Sequence, residues 1–195
     1  MSVRAKTNKY TPQQYLALEE KAEYRSEYWN GEIVAMSGAT IDHQQIVSNL
    51  TEFLGAKIRG RCRVFPSEMK VWVKKRDKFF YPDLTIICDQ PDFYNNRRDT
   101  IINPKLLIEV LSKSTASFDR AEKFLSYQTF ESLEEYVLIS QEKALIEQFI
   151  KREDGNWIYK ATIGMESAVT FPSVDATLLL SEIYDLVDFE TEENL

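Results

Sequence analysis

Apolar positions along the chain follow two periods, and the change from one to the other marks the elements. Thr11-Pro12 has the form of an N-cap followed by proline at the first helical position, and apolar residues at helical spacing continue to about Ala22, so a short entry helix is predicted. Tyr24 to Trp29 and Glu32 to Met36 flank Asn30-Gly31, a dipeptide suited to the positive φ angles of a tight hairpin turn. From Asp42 to Ile58, the residues Ile46, Val47, Leu50, Phe53, Leu54 and Ile58 recur at three and four, which predicts an amphipathic helix lying on a sheet.

Strands dominate the chain beyond Ile58. Arg63 to Phe65 and Met69 to Val73 read as strands broken near Pro66, and Phe79 to Ile87 reads as one more. Asp89 to Pro104 is polar, holds two prolines, lacks a period and reads as a loop. Lys105 to Leu111 is almost continuously aliphatic, the pattern of a strand covered on both faces. Ser114 or Ser117 is placed to cap a helix running to about Phe130, and Glu134 to Ile139 and Ala144 to Lys151 alternate as strands. Asp154-Gly155-Asn156 then turns the chain into Trp157 to Ile163, and Val169 to Val187 supplies a short strand, a turn at Pro172-Ser173 and a terminal helix. The order predicts an α/β fold, a mixed β-sheet flanked by helices.

Composition narrows the picture. A chain of 195 residues, 44% hydrophobic and 28% charged with no linker or repeat, is expected to form a single domain over 1–195. No apolar run approaches the roughly 18 residues a membrane span needs, and no signal core follows the start, so a cytoplasmic protein without a membrane partner is expected. Cys62 and Cys88 lie in separate strand-like segments without metal-site spacing and are expected to be reduced and structural. The net charge of −7 argues against a broad basic face for nucleic acid, although an acidic tail from about Asp185 to Glu193 carries part of the excess. Any grip on a polyanion must therefore be local. Lys74, Lys75, Arg76 and Lys78 form the densest basic cluster and Arg97 with Arg98 a second, both read first as solvated turns and only second as a grip on phosphate.

The chemistry lies in acids placed where they are costly. Asp83 sits in FFYPDLTII and Glu109 in KLLIEVLS, and a carboxylate among aliphatic side chains needs a partner or a cation. If the two strands are neighbours, both carboxylates converge on a hard divalent cation such as Mg²⁺; alternatively, each meets solvent or a surface lysine. On the following helix, Asp119, Lys123, Tyr127 and Phe130 share a face distinct from that of Phe118, Ala121, Phe124 and Leu125. Lys123 thus lies beside aromatic rings and can point an ammonium toward the strand of Glu109, or simply pair with Asp119 at i, i+4.

Taken in order, YPDL, IEVLSKST, FDRAEKFLSY and EEYVLI resemble the Uma family of restriction endonucleases, a branch of the PD-(D/E)xK nuclease superfamily. The resemblance extends back through NGEIVAMSGAT and the spacing of His43 to Ile46, covering roughly residues 10 to 150. It implies a restriction-endonuclease-like fold and a metal-dependent endonuclease acting on DNA. Asp83, Glu109 and the carbonyl of Val110 would then hold Mg²⁺ or Mn²⁺. The superfamily places a lysine two residues after the second acid, where this chain has Leu111. The resemblance therefore implies a lysine that has migrated to the following helix, Lys123, with Lys113 as a competing position. Glu32 and His43, the only histidine, match family positions and are candidates for the rim of the same cleft, with Glu68 a weaker one. Two other classes of function stay open: a catalytically silent binding module on a nuclease scaffold, and a homodimeric interaction protein using the hairpins near Trp29 and Trp157.

Overall fold

A computed structural model describes residues 9–189. In chain order the elements are α1 (Pro12–Glu19), β1 (Ser26–Trp29), β2 (Glu32–Ala35), α2 (Ile41–Ile58), β3 (Arg63–Pro66), β4 (Lys70–Val73), β5 (Lys78–Phe80), β6 (Leu84–Ile87), β7 (Thr100–Ile101) and β8 (Leu106–Leu111). A continuous helical rod comes next, made of α3 (Ala116–Phe118), a π-helical stretch Asp119–Lys123 and α4 (Phe124–Tyr127). The chain then forms β9 (Glu135–Ser140), β10 (Leu145–Lys151), β11 (Trp157–Ile163), β12 (Ala168–Phe171), β13 (Ala176–Leu179) and α5 (Leu180–Ile183).

The strands make a six-stranded sheet in the order β11-β10-β9-β8-β6-β3, a five-stranded sheet in the order β2-β1-β5-β4-β7, and the small β12-β13 hairpin. Both larger sheets are mixed: β8 with β9 and β4 with β7 are parallel, and the other pairs are antiparallel. One face of the six-stranded sheet packs Leu106, Ile108 and Val110 against the apolar stripe of α2, with β12, β13 and α5 completing that side. Its other face turns Leu107, Leu111 and Leu138 toward Val71, Val73 and Phe80 of the second sheet and Tyr127 of the rod. The second sheet is covered outside by α1, through Tyr15, Leu16, Tyr28, Trp72 and Phe79. The rod therefore lies between two sheets, and polar groups it carries inward are screened from water.

Several local readings hold for the reasons that suggested them. Thr11 and Gln14 form a reciprocal capping box at α1. Asn30 and Gly31 both take positive φ, 49° and 99°, so the β1–β2 turn is one that glycine closes without strain. All six residues of β8 are buried, as a near-continuous aliphatic run requires.

Other readings are corrected. Phe79 to Ile87 is not one strand: β5 belongs to the five-stranded sheet and β6 to the six-stranded one, and the chain changes sheets at Tyr81-Pro82-Asp83. Proline has no N–H to give a ladder, so the switch falls there. The loop Asp89 to Pro104 contains a 3-10 turn and β7, which pairs with β4. The rod ends at Tyr127 rather than Phe130, and the hydroxyl that caps its approach is Ser112, which accepts from the N–H of Thr115 at 3.2 Å; neither Ser114 nor Ser117 does so. The stretch after Val169 holds two strands, because a 3-10 turn at Pro172–Val174 folds β13 back on β12. Cys62 and Cys88 are joined in a disulfide. The register Arg63↔Ile87 puts them opposite one another one step beyond the β3–β6 ladder, a pairing that strand composition could not reveal. Of the acidic tail, the residues from Glu190 onward lie outside the described residues. Among the described residues no helix is long and apolar enough to cross a membrane.

Candidate functional site

The sheet switch sets the first acid. β6 pairs with β8 in the register Leu84↔Ile108, so one step further out Asp83 stands opposite Glu109. Directly opposed residues of an antiparallel pair share a face. The ladder stops before Asp83, and its side chain takes over: Oδ2 accepts from the Val110 N–H at 2.7 Å, while Oδ1 lies 3.0 Å from Nε2 of His43. The Ser67 N–H donates to the Asp83 carbonyl at 2.9 Å, fixing the backbone from the β3 side. His43 reaches this point from the first turn of α2, where Thr40 caps the helix.

Glu109 is deeper, 3% exposed, on the face of β8 that also carries Leu107 and Leu111. The Tyr127 hydroxyl donates to its Oε1 at 2.9 Å, and the Lys123 ammonium lies 3.0 Å from its Oε2. Lys123 is itself buried, 3.2 Å from Asp119 Oδ1 and 3.7 Å from Glu27 Oε1, with Phe80 beneath its Nζ. Two turns of the rod thus deliver Asp119, Lys123 and Tyr127 to one carboxylate. The π-helical stretch Asp119–Lys123 carries two of them, a distortion of the kind that recurs at functional sites.

Burial, reinforced by the neighbouring carboxylates of Asp119, Asp83 and Glu27 and opposed by Lys123, raises the Glu109 carboxyl well above its ordinary range. Burial also works against the Lys123 ammonium. Glu109, Glu27, Asp119 and Asp83 outweigh it and hold the lysine well above its ordinary value, so it stays charged. Burial and the adjacent Glu109 push the Tyr127 hydroxyl well up, which keeps it a proton donor. Three carboxyl groups, of Glu109, Asp119 and Glu27, therefore lie within 4 Å of one ammonium. Among the described residues no three His, Cys, Asp or Glu side chains are gathered as a closed metal-ligand set.

The structure separates the remaining candidates. Lys113 is exposed and lies 3.7 Å from Glu142, away from the carboxylates. Glu32 is exposed on the edge strand β2, opposite Trp29 and on the same face as Glu27. Glu68 is exposed and paired with Arg25. Lys78 alone of the first basic cluster turns inward, toward Glu122 and the rings of Trp29 and Phe80. Arg97 is tied to Asp99 and Glu20. In the two hairpins considered as a contact face, the partly buried Trp29 stacks on Phe118 and the partly buried Trp157 meets Phe124 edge-on. The acid that sequence reasoning missed is Glu27. It is 6% exposed in β1 and accepts from the Trp29 indole at 3.0 Å and the Tyr81 N–H at 3.4 Å. The available signal was an acid within a strand of aromatic residues, the same signal that marked Glu109.

The model of the Uma2 family, described as putative restriction endonuclease, matches residues 12–178, a span that includes every residue of the site. The chain belongs to the Uma2 family. Two proteins of Synechocystis sp. fall beside it. The uncharacterized protein sll1609 is 36% identical over 172 residues, 88% of this chain and 97% of the relative. The uncharacterized protein slr1290 is 34% identical over 164 residues, 81% and 84% respectively. A crystal structure of a putative nuclease belonging to DUF820 from Anabaena variabilis superposes with a TM-score of 0.74 over 90% of this chain and 97% of that one. At 18% identity that likeness shows the fold: this Uma2 chain has the nuclease-type mixed α/β architecture.

Proposed function

We propose that this Uma2 chain is a divalent-metal-dependent endonuclease that hydrolyses phosphodiester bonds in DNA, working in the cytoplasm as a single domain. One observation carries the reading: Asp83 and Glu109 stand opposed across β6 and β8, and the buried Lys123 ammonium lies 3.0 Å from Glu109.

The residues fit a hard cation. Glu27, Asp83, Glu109 and Asp119 bring more carboxylate than Lys123 can neutralise, and Glu109 is driven toward its protonated form. Hard oxygen donors in charge excess suit Mg²⁺ or Mn²⁺, which keep several waters and need few protein ligands. Asp83, Glu109 and the Val110 carbonyl would hold the ion. Its chemistry there is to lower the pKa of a bound water and to polarise a phosphoryl oxygen.

The chain's own groups do the rest. Lys123 stabilises charge developing on the phosphate, and a preorganised ammonium in a site shielded from water does this without reorganisation. Tyr127 holds the Glu109 carboxylate by its hydroxyl, leaving the other oxygen to Lys123. His43 and the Val110 N–H hold the two oxygens of Asp83 in a fixed plane. Glu27, from the second sheet, keeps the lysine stem between the sheets.

Cleavage of supercoiled plasmid by purified protein with Mg²⁺ or Mn²⁺ tests the reading. Asp83→Asn preserves shape and should lose cleavage by at least a hundredfold with unchanged thermal stability, and Lys123→Ala should lose it also. An Asp83→Asn protein that cuts as well as the parent would remove Asp83 from the mechanism.

One feature favours a second reading, a catalytically silent binding module: each oxygen of Asp83 and Glu109 already has a protein partner. Calorimetry decides between the two. Binding of Mg²⁺ or Mn²⁺ that disappears in Asp83→Asn supports the enzyme, and absence of binding supports the module.

A further inference from the structure

A crevice of about 310 Å³ lies at the C-terminal ends of the parallel strands β8 and β9, lined in part by Ser112, Lys113, Arg120, Ser140, Glu142 and Lys143. Its wall begins at Leu111, two residues beyond Glu109 on the same face of β8, and includes Arg120, three residues before Lys123 on the rod. It thus adjoins the two elements that carry Glu109 and Lys123. Lys113, Arg120 and Lys143 line it together with Glu142, which lies 3.7 Å from Lys113, and Arg120 is anchored on Glu147 behind the wall. A second cleft, beside α1, sets Arg25, Lys70 and Arg97 against four carboxylates, so acids outnumber bases there. In a chain of net charge −7, three basic side chains on one crevice wall stand out.

Its chemistry suits a phosphate. Arg120 gives Nε–H and one Nη2–H to Glu147 Oε2, at 2.9 and 2.5 Å, which fixes the guanidinium plane and leaves its other donors for a second acceptor. Ser112 and Ser140 add hydroxyls at the ends of β8 and β9, that of Ser112 held within 3.1 Å of Ser114 and 2.9 Å of Thr115. The reach is appropriate as well. Two strand residues span about 7 Å, one to two nucleotide steps for a strand carrying a phosphate each ~3.4 Å along its axis. The carboxyl ends of parallel strands are also where open α/β sheets bind ligands.

We propose that this crevice is a backbone-phosphate subsite that seats a phosphate of the DNA strand one or two nucleotides from the bond to be cut. Arg120, Lys113 and Lys143 supply the charge, and Ser112 and Ser140 the hydroxyl contacts. The proposal rests on the nuclease reading and names where its substrate strand runs. Because the contact is made equally before and during reaction, it sets KM and leaves kcat alone.

The test compares the full-length protein with Lys113→Ala/Lys143→Ala, two exposed positions, and with Lys57→Ala/Arg59→Ala, which removes equal charge at the far end of α2. Binding of a fluorescent 20-base-pair DNA duplex is followed by anisotropy across salt concentrations without divalent metal, and plasmid cleavage is followed with metal. The subsite variant should bind about tenfold more weakly, with a slope of log K against log salt shallower by about 0.9, the value of one neutralised phosphate. Its KM should rise about tenfold at unchanged kcat, while the α2 variant matches the parent. If the parent cuts and binds but the subsite variant keeps its affinity, slope and KM, or the α2 variant loses as much, the subsite is wrong and the nuclease reading stands. If the parent binds DNA yet cuts none, the nuclease reading fails alone, and the affinity and slope still decide the subsite. If the parent binds no DNA at all, both fall.

Discussion

Replacing Lys123 by methionine keeps the volume between the two sheets and removes the ammonium that lies among Glu109, Asp119 and Glu27, at 3.0, 3.2 and 3.7 Å. At an effective dielectric of about 20, unit charges at the 3.2 Å of Lys123 and Asp119 attract by about 5 kcal/mol. Desolvation of the buried ammonium cancels much of that gain. What the substitution exposes is the cost of leaving buried carboxylates uncompensated, about 3–5 kcal/mol when one partner of a buried pair is deleted. With a urea slope of roughly 2 kcal/mol per molar, the unfolding midpoint of Lys123→Met at pH 8 should fall by roughly 2 M, read by tryptophan fluorescence. Adding Asp119→Asn to the same chain removes one of the stranded charges and should recover about 2 kcal/mol, a coupling expected for groups in direct contact. Lys123→Met costing less than about 1 kcal/mol, or a double variant no more stable than the single one, would refute the picture of a charge cage closed by this lysine.

Acidity and redox state give further tests. Because the folded-state pKa of Glu109 lies above its unfolded value, the native chain holds a proton that the unfolded chain has released. Stability from this group is therefore lost as pH rises from about 4.3 toward the folded value, opposite to an ordinary ion-paired carboxylate. Glu109→Gln should gain on the parent across that window in urea titrations, and parallel curves would sink the assignment. Lys123, raised above its unfolded value, contributes fully at neutral pH and loses its contribution only as pH passes its folded value. Reducing the Cys62–Cys88 bridge, which closes a separation of 26 residues, should cost about 3 kcal/mol by loop entropy and lower the melting temperature. A melt that is the same before and after reduction, with both thiols titrated, would contradict that cost.

Much of the architecture is written in short stretches of sequence. The capping box at Thr11, the Asn30-Gly31 turn, the stripe from Ile46 to Ile58 and the aliphatic run of β8 each act through neighbours along the chain, so their periods and turn residues specify them directly. The same logic exposed Asp83, Glu109 and Lys123, because a charge inside an apolar period is visible as a cost before any partner is known.

Tertiary structure alone decided who compensates that cost. Glu27 and Lys123 come from different sheets and elements, and nothing local to either residue encodes their meeting. Lys113 and Lys123 could not be separated by spacing; the rod between the sheets buries one ammonium at Glu109, while the strand's end sends the other to Glu142. The change of sheet at Pro82 and the pairing of Cys62 with Cys88 likewise depend on which strands find each other, a matter of register across long loops. The sequence by itself determined the elements and the acids that need a partner. Only packing of the two sheets around the rod determined the cage that answers them, because side-chain patterns set what must be buried and long-range contacts set against what.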